Sequence, residues 1–241
     1  MQKMESILEV SKVSKHFGGF TALSGVDLRV AQGERLGLIG PNGSGKTTLI
    51  NCISGSLFND EGEIAFKGQA ISKLPAHRRT CLGIARSFQI PRPFTSMSMI
   101  ENLMVPLSYV CGITGEQAEQ KAMEILSDMG LAAKARTATH QLSQVELRKM
   151  ELARAMAAQP TLLISDEAMA GLSSAEIDEV LEILLGMNSK GITIIMIEHI
   201  MQAVMAFSQR VVCLDAGQII CEGTPQHVVA DPYVQRAYLG D

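Results

Sequence analysis

The strongest chemical signal in the chain is the stretch Gly40-Pro41-Asn42-Gly43-Ser44-Gly45-Lys46-Thr47-Thr48. An apolar run, Leu36, Leu38 and Ile39, precedes it, and Leu49 and Ile50 follow. The order reads as strand, glycine-rich loop, helix, and Gly40, Gly45, Lys46 and Thr47 keep the P-loop spacing. Glycines let successive backbone N–H groups curl around a polyphosphate with no Cβ in the way. The helix opening near Lys46 turns its positive dipole end toward the same anion. Lys46 is then within reach of the β- and γ-phosphates, and the Thr47 hydroxyl offers a ligand to Mg²⁺. The ligand implied is a nucleoside triphosphate.

A second candidate group lies far along the chain. Thr161 to Ser165 read as a buried strand, and Asp166-Glu167 end it. In a parallel α/β sheet a carboxylate at a strand end lies beside the P-loop. Asp166 would hold Mg²⁺ through water and Glu167 would polarise an attacking water, the alternative being a surface acidic pair. His199 ends the next apolar strand, Ile192 to Ile197, and alone reads as a structural or surface residue. Gln89 follows the strand-like run from Gly83, just before Pro91 and Pro93, and by itself means little. Phe17 reads equally as a core residue or as an aromatic platform for a base.

The elements that must position these residues are legible in outline. Two loosely alternating stretches, Ile7 to Val13 and Val26 to Val30, read as an antiparallel pair ahead of the P-loop strand. A turn at Asn59 to Gly62 leads into a short strand through Ile64 and Phe66. His77-Arg78-Arg79 reads as a solvated basic face. Met97 to Ala157 look mostly helical, with apolar residues at helical spacing from Glu116 to Met129 and a stop at Gly130. Met97, Met99 and Met104 read as core filling or as an adaptable contact surface. Ser143-x-x-Glu146 and Ser173-x-x-Glu176 are capping boxes, and Thr224-Pro225 and Asp231-Pro232 each pair an N-cap with a proline at the first helical position. Strands then alternate with helices. The expected fold is α/β: a P-loop NTPase core with an N-terminal antiparallel β subdomain and an inserted α-helical subdomain. It forms one domain, 1–241, with the core at about 1–92 and 159–241 and the helical part at about 93–158.

The 241 residues carry a net charge of -4, no Trp and 4% aromatic residues, which argues against a nucleic-acid partner. Five cysteines, Cys52, Cys81, Cys111, Cys213 and Cys221, form no Cys-x-x-Cys pair and read as reduced thiols of a cytoplasmic protein. Met1 to Ser6 hold no apolar leader core, and no apolar run approaches the ~20 residues that a membrane span needs.

P-loop, Gln89, Leu142-Ser143 opening a helix, Asp166-Glu167, then His199: in this order the whole chain resembles the nucleotide-binding subunit of ATP-binding cassette (ABC) transporters. The resemblance implies that Phe17 stacks on adenine, Gln89 is the Q-loop glutamine at Mg²⁺, Asp166 and Glu167 are the Walker B pair and His199 is the switch histidine. It implies two cassettes closing head-to-tail on two ATP molecules, each P-loop facing the partner's signature loop, here through Ser143. It further implies transmembrane permease subunits docking beside Gln89 and the helical part, indirect service to a solute-binding protein, and a peripheral place on the inner face of the cell membrane. The apolar residues Phe94, Met97 and Met99 are expected to be exposed for that docking. Phe17-Gly18-Gly19, Ala85-Arg86-Ser87-Phe88-Gln89, Glu198-His199 and Arg236-Ala237-Tyr238-Leu239-Gly240 are similar to the branched-chain amino-acid importer group, and lipopolysaccharide-export ATPases share several of these features. A soluble cassette for assembly or repair and a regulatory module without turnover are the alternatives of other classes.

The chain departs from the family at Leu142-Ser143-Gln144-Val145-Glu146, where Val145 takes a usual glycine. Ala168 replaces a usual proline and Ser173 a usual aspartate. The P-loop side is therefore expected to be complete and the signature side eroded. A heterodimer with a sister cassette is the expected partnership, with a homodimer as the alternative.

Overall fold

The computed structural model describes residues 5–88 and 90–239. Strand β3 (Arg35–Ile39) is the centre of a six-stranded sheet, and Leu36, Leu38 and Ile39 are wholly buried, as both faces of a parallel strand must be. It lies between β8 (Thr193–Ile197) and β9 (Arg210–Asp215). Outward from β8 come β7 (Leu162–Asp166) and β6 (Ile84–Ser87), and β10 (Gln218–Gly223) closes the other edge. The order is β10-β9-β3-β8-β7-β6, parallel throughout except for β10 against β9. A four-stranded antiparallel sheet, β2-β1-β4-β5, is built from β1 (Ser6–Phe17), β2 (Phe20–Ala31), β4 (Glu61–Phe66) and β5 (Gln69–Ala70).

Alternate residues of β8 divide the core. Ile195 and Ile197 join Leu8, Leu28, Leu38, Leu49 and Phe66, which fill the space between the sheets around α1 (Lys46–Ser54). Ile194 and Met196 join the opposite cluster, with α3 (Met99–Tyr109), α4 (Gly115–Asp128), α5 (Gln144–Ala157) and α6 (Ser174–Ser189). This is the period-two alternation of a strand buried on both faces. The remaining helices are α2 (Ala76–Leu82), α7 (Met201–Phe207), α8 (Pro225–Ala230) and α9 (Pro232–Leu239). Ser143 and Ser173 form their capping boxes, and Thr224 and Asp231 receive the N–H groups of the short helices behind them. No described helix is long and apolar enough to cross a membrane.

Two expectations fail on burial. Met99 is wholly buried, because it opens α3 on the face it shares with Leu103 and Leu107, one and two turns on. Phe94 is exposed and Met97 half-buried, so only part of that stretch faces outward. Arg79 does not belong to a solvated face. It is wholly buried, and its guanidinium donates to the carbonyls of Cys52 and Ile53 in the last turn of α1 and to those of Ser72 and Leu74. A cation at a helix C-terminus satisfies carbonyls that the helix leaves unpaired. Burial holds its pKa below the usual arginine value.

Candidate nucleotide site

The P-loop follows β3 and is held in a conformation that requires glycine. Gly40, Gly43 and Gly45 have φ of 148°, 82° and 105°. A Cβ on Gly40 would stand 2.1 Å from the Leu214 carbonyl oxygen, and one on Gly45 would stand 2.6 Å from that of Ala22. Gly45 caps α1 with no side-chain hydrogen bond, and the first turn of α1 holds no acidic residue. The leading N–H groups of α1 thus lack a side-chain cap, which is the arrangement that receives a phosphate. Ser44 is buried and its Oγ has no hydrogen-bond partner. Lys46 Nζ donates to the carbonyls of Gly40 (2.7 Å) and Pro41 (2.9 Å). Burial lowers the Lys46 pKa, opposed by the negative charges of Glu167 and Asp166. Asn42 and Thr47 are exposed, and Pro41 and Thr48 half-buried, on the same loop.

Asp166 ends β7 in a buried position, and its Oδ2 lies 2.6 Å from Arg86 Nη2. Arg86, from β6, also donates through Nη1 to Asn51 Oδ1 at 2.6 Å, so one guanidinium ties the P-loop helix to the strand-end carboxylate. Glu167 takes φ of 47°, rare for a residue with a side chain, and its N–H donates to the Ile197 carbonyl at the end of β8. Two residues on, the Met169 N–H donates to Glu198 Oε1 at 3.0 Å. Glu198 is buried and its Oε2 is unpartnered. Burial raises its carboxyl to about 7, helped by the charge of Glu167 and opposed by the Met169 N–H and by His199. His199 follows on the exposed side. The structure therefore brings the strand ends that carry Gly40, Asp166, Glu167 and His199 to one edge of the sheet, as neighbouring parallel strands demand.

Phe17 stands at the tip of the β1–β2 hairpin, paired with Phe20 and 48% exposed, with Lys15 Nζ 5.5 Å from its ring centre. It is not a core residue. Gln89 lies outside the described residues. Ser143 is exposed at the start of α5. Its Oγ accepts from the Glu146 N–H (3.3 Å), and its own N–H donates to Glu146 Oε2 (3.0 Å). Lys134 Nζ meets the same carboxylate at 2.6 Å and, with the Ser143 bonds, holds the Glu146 pKa down. Gln144 Nε2 donates to the Ala170 carbonyl (3.3 Å), and Val145 packs on the helical cluster.

Sequence reasoning passed over Arg86, Asn51, Glu198 and Tyr238 as parts of this edge. Arg86 and Glu198 each sit within three residues of a candidate that was named. Asn51 likewise lies three residues past Thr48, and Tyr238 stood in the C-terminal run Arg236 to Gly240 with nothing local to link it to the P-loop. A polyphosphate with Mg²⁺ fits what is present: glycine backbone, an uncapped helix start, the unpaired Ser44 hydroxyl, a lysine, and the Thr47 hydroxyl and Asp166 carboxylate as hard oxygen ligands.

Comparison with known proteins agrees with this chemistry. A family model described as ABC transporter matches residues 23–170, and one described as branched-chain amino acid ATP-binding cassette transporter matches 218–241. The chain is 34% identical to the high-affinity branched-chain amino acid transport ATP-binding protein BraF of Pseudomonas aeruginosa, covering 98% of each. It is 33% identical to the lipopolysaccharide export system ATP-binding protein LptB of Haemophilus influenzae, again covering 98% of each. Among solved structures, the ADP conformation of the cassette MJ1267 superposes with a TM-score of 0.91 at 32% identity, covering 98% of this chain and all of that one. The dimeric post-hydrolysis state of the cassette MJ0796, bound to ADP and Pi, gives 0.82 at 25% identity, covering 90% of this chain and 98% of that one.

Proposed function

This chain belongs to the ABC transporter ATP-binding family, and on that premise we propose that it is the ATP-hydrolysing subunit of an importer for branched-chain amino acids or a related small solute. The observation that carries the choice of solute class is the match of the C-terminal residues 218–241 to the branched-chain amino-acid cassette model. Likeness to LptB supports lipopolysaccharide export as the second reading.

In the proposed mechanism the P-loop amides and Lys46 bind the ATP phosphates, and Phe17, presented at a hairpin tip, stacks on the adenine. Thr47, Asp166 and Gln89 are the residues that would hold Mg²⁺, which when bound neutralises charge on the phosphates. Arg86 aims the Asp166 carboxylate through their ion pair. Glu167 orients and polarises the attacking water, its direction set by the left-handed backbone and the bond to Ile197. His199 contacts the γ-phosphate from the end of β8. Ser143 serves the nucleotide bound by a second cassette, a pairing that the dimeric structure of the related cassette MJ0796 supports.

We assign residues 93–158 to a helical subdomain that couples the site to membrane subunits. A groove between it and the core is walled by Phe88, Phe94, Pro106 and Tyr109, with Tyr109 87% exposed, and it suits an inserted loop of a permease. The protein would then be peripheral on the cytoplasmic face of the membrane. The Ser143–Glu146 box supports a heterodimer with a sister cassette, because the signature loop here spends its donors on itself. The test is steady-state ATPase activity of this chain alone, with a co-encoded sister cassette, and with the co-encoded membrane subunits in vesicles that hold ATP inside, labelled leucine and the co-encoded solute-binding protein being supplied outside. ATP-dependent leucine uptake that requires this chain is the expected result; ATP turnover that no solute or membrane subunit alters would overturn the transport role.

A further inference from the structure

The C-terminal run Arg236 to Gly240 marks the chain's subgroup, yet the chemistry above gives it no task. The structure supplies one. Gly40, the first P-loop glycine, lies just past the last residue of β3 in the ladder, where Ile39 pairs with Cys213. Its N–H needs a partner from elsewhere, and it donates to Tyr238 Oη at 2.8 Å across 198 residues of sequence. Val234, one helical turn before Tyr238, is buried in the same apolar cluster as Ile39, Val211 and Cys213. The start of α9 is fixed in turn. Asp231 Oδ1 accepts from the N–H groups of Tyr233 (2.8 Å) and Val234 (3.2 Å), and the Cys221 thiol of β10 lies within 4.8 Å of the same carboxylate. Gly40 is closed in on its other side by the Leu214 carbonyl.

We infer that Tyr238 is a positioning residue of the nucleotide site: the tail helix α9, seated by Val234 in the cluster that holds Ile39, sets the entry corner of the P-loop through the Tyr238 hydroxyl on the Gly40 amide. The inference rests on the ATP-binding role proposed above. It makes the tail part of the binding machinery, so that a displacement of α9 lowers affinity for ATP without touching a phosphate ligand. Tyr238 acts through the backbone and is not a catalytic residue.

The experiment uses the full chain, with Tyr238→Phe, which keeps the ring and removes the acceptor, and Asp231→Ala, which loosens the start of α9. Three quantities are read: the ATP dissociation constant, the hydrogen-exchange rate of the Gly40 amide, and the thermal midpoint. Loss of one hydrogen bond is expected to raise the dissociation constant about fivefold. Gly40 exchange should quicken about tenfold in Tyr238→Phe, the midpoint should hardly move, and Asp231→Ala should add nothing to Tyr238→Phe in the dissociation constant. An unchanged ATP affinity in Tyr238→Phe overturns the inference, and so does a lowered midpoint with unchanged affinity, which is a merely structural role. Wild-type protein that binds no ATP would overturn the function proposed above and this inference with it.

Discussion

The loop at Gly40 to Thr48 and the loop at Leu142 to Glu146 both open a helix, and they treat its N-terminus in opposite ways. Before α1 there is no side-chain cap, the glycines hold dihedrals closed to other residues, and a buried hydroxyl lacks a partner. The surroundings lock this shape from every side: Arg79 caps the far end of α1, Arg86 ties it to Asp166, and Tyr238 holds the corner. Before α5, Ser143 and Glu146 satisfy each other, Lys134 neutralises the carboxylate, and Val145 turns into the helical cluster. A phosphate site is made by leaving donors open in a rigid frame. A helix start that satisfies itself gains stability and has less to offer an anion.

The largest effect should come from the first region. Glu167→Gln is expected to lower ATP turnover by about a thousandfold while ATP binding stays near wild type, measured by steady-state assay and nucleotide titration. Retained turnover would remove the carboxylate from the mechanism. Arg86→Ala should cost about 3 kcal/mol, because it leaves Asp166 buried without its counter-ion. For a chain of this size that is a fall of roughly 6–12 °C in the thermal midpoint. A fall of under about 2 °C would show that the clamp between α1 and β7 is dispensable.

Acidity tests the same edge. The buried Glu198 carboxyl titrates near 7 in the folded chain, above its ordinary value of 4.5. Between those values the folded state keeps a proton that the unfolded state has released, so rising pH favours unfolding. Stability should decline by up to about 3 kcal/mol from about pH 4.5 to 7 and then level off. In Glu198→Gln this part of the slope should vanish in denaturant titrations across that range; an unaltered slope would mean that Glu198 ionises normally.

The signature side should respond least. Ser143→Ala is expected to cost about 1 kcal/mol through the lost cap. Val145→Gly should cost less, about 0.5 kcal/mol of helix propensity. If the paired-cassette reading is right, Val145→Gly alters turnover of the lone chain more than that of the heterodimer. Equal turnover of lone chain and pair, with Val145→Gly changing neither, would remove the asymmetry between the two regions.

Much of this was legible in the chain because it is written in adjacent residues. The P-loop, both capping boxes and the alternation of strands and helices depend on spacings of two to four residues, and those spacings set local geometry directly. Arg79 and Met99 were misjudged for the complementary reason. A basic triplet and a methionine-rich run have the same local appearance whether they face water or the last turn of α1 and the helical core.

The sequence by itself determined the kind of chemistry: a glycine loop shaped for phosphate, carboxylates and a histidine at the ends of apolar strands. Only the tertiary structure decided which distant groups share that edge. Arg86 meets Asp166 across 80 positions and Tyr238 meets Gly40 across 198. Those meetings follow from the strand order β10-β9-β3-β8-β7-β6, with α9 packed against the β9 flank. Long-range pairings of this kind leave no period in the chain. They arise because buried polar groups must find partners wherever the packed sheet and its helices have placed them.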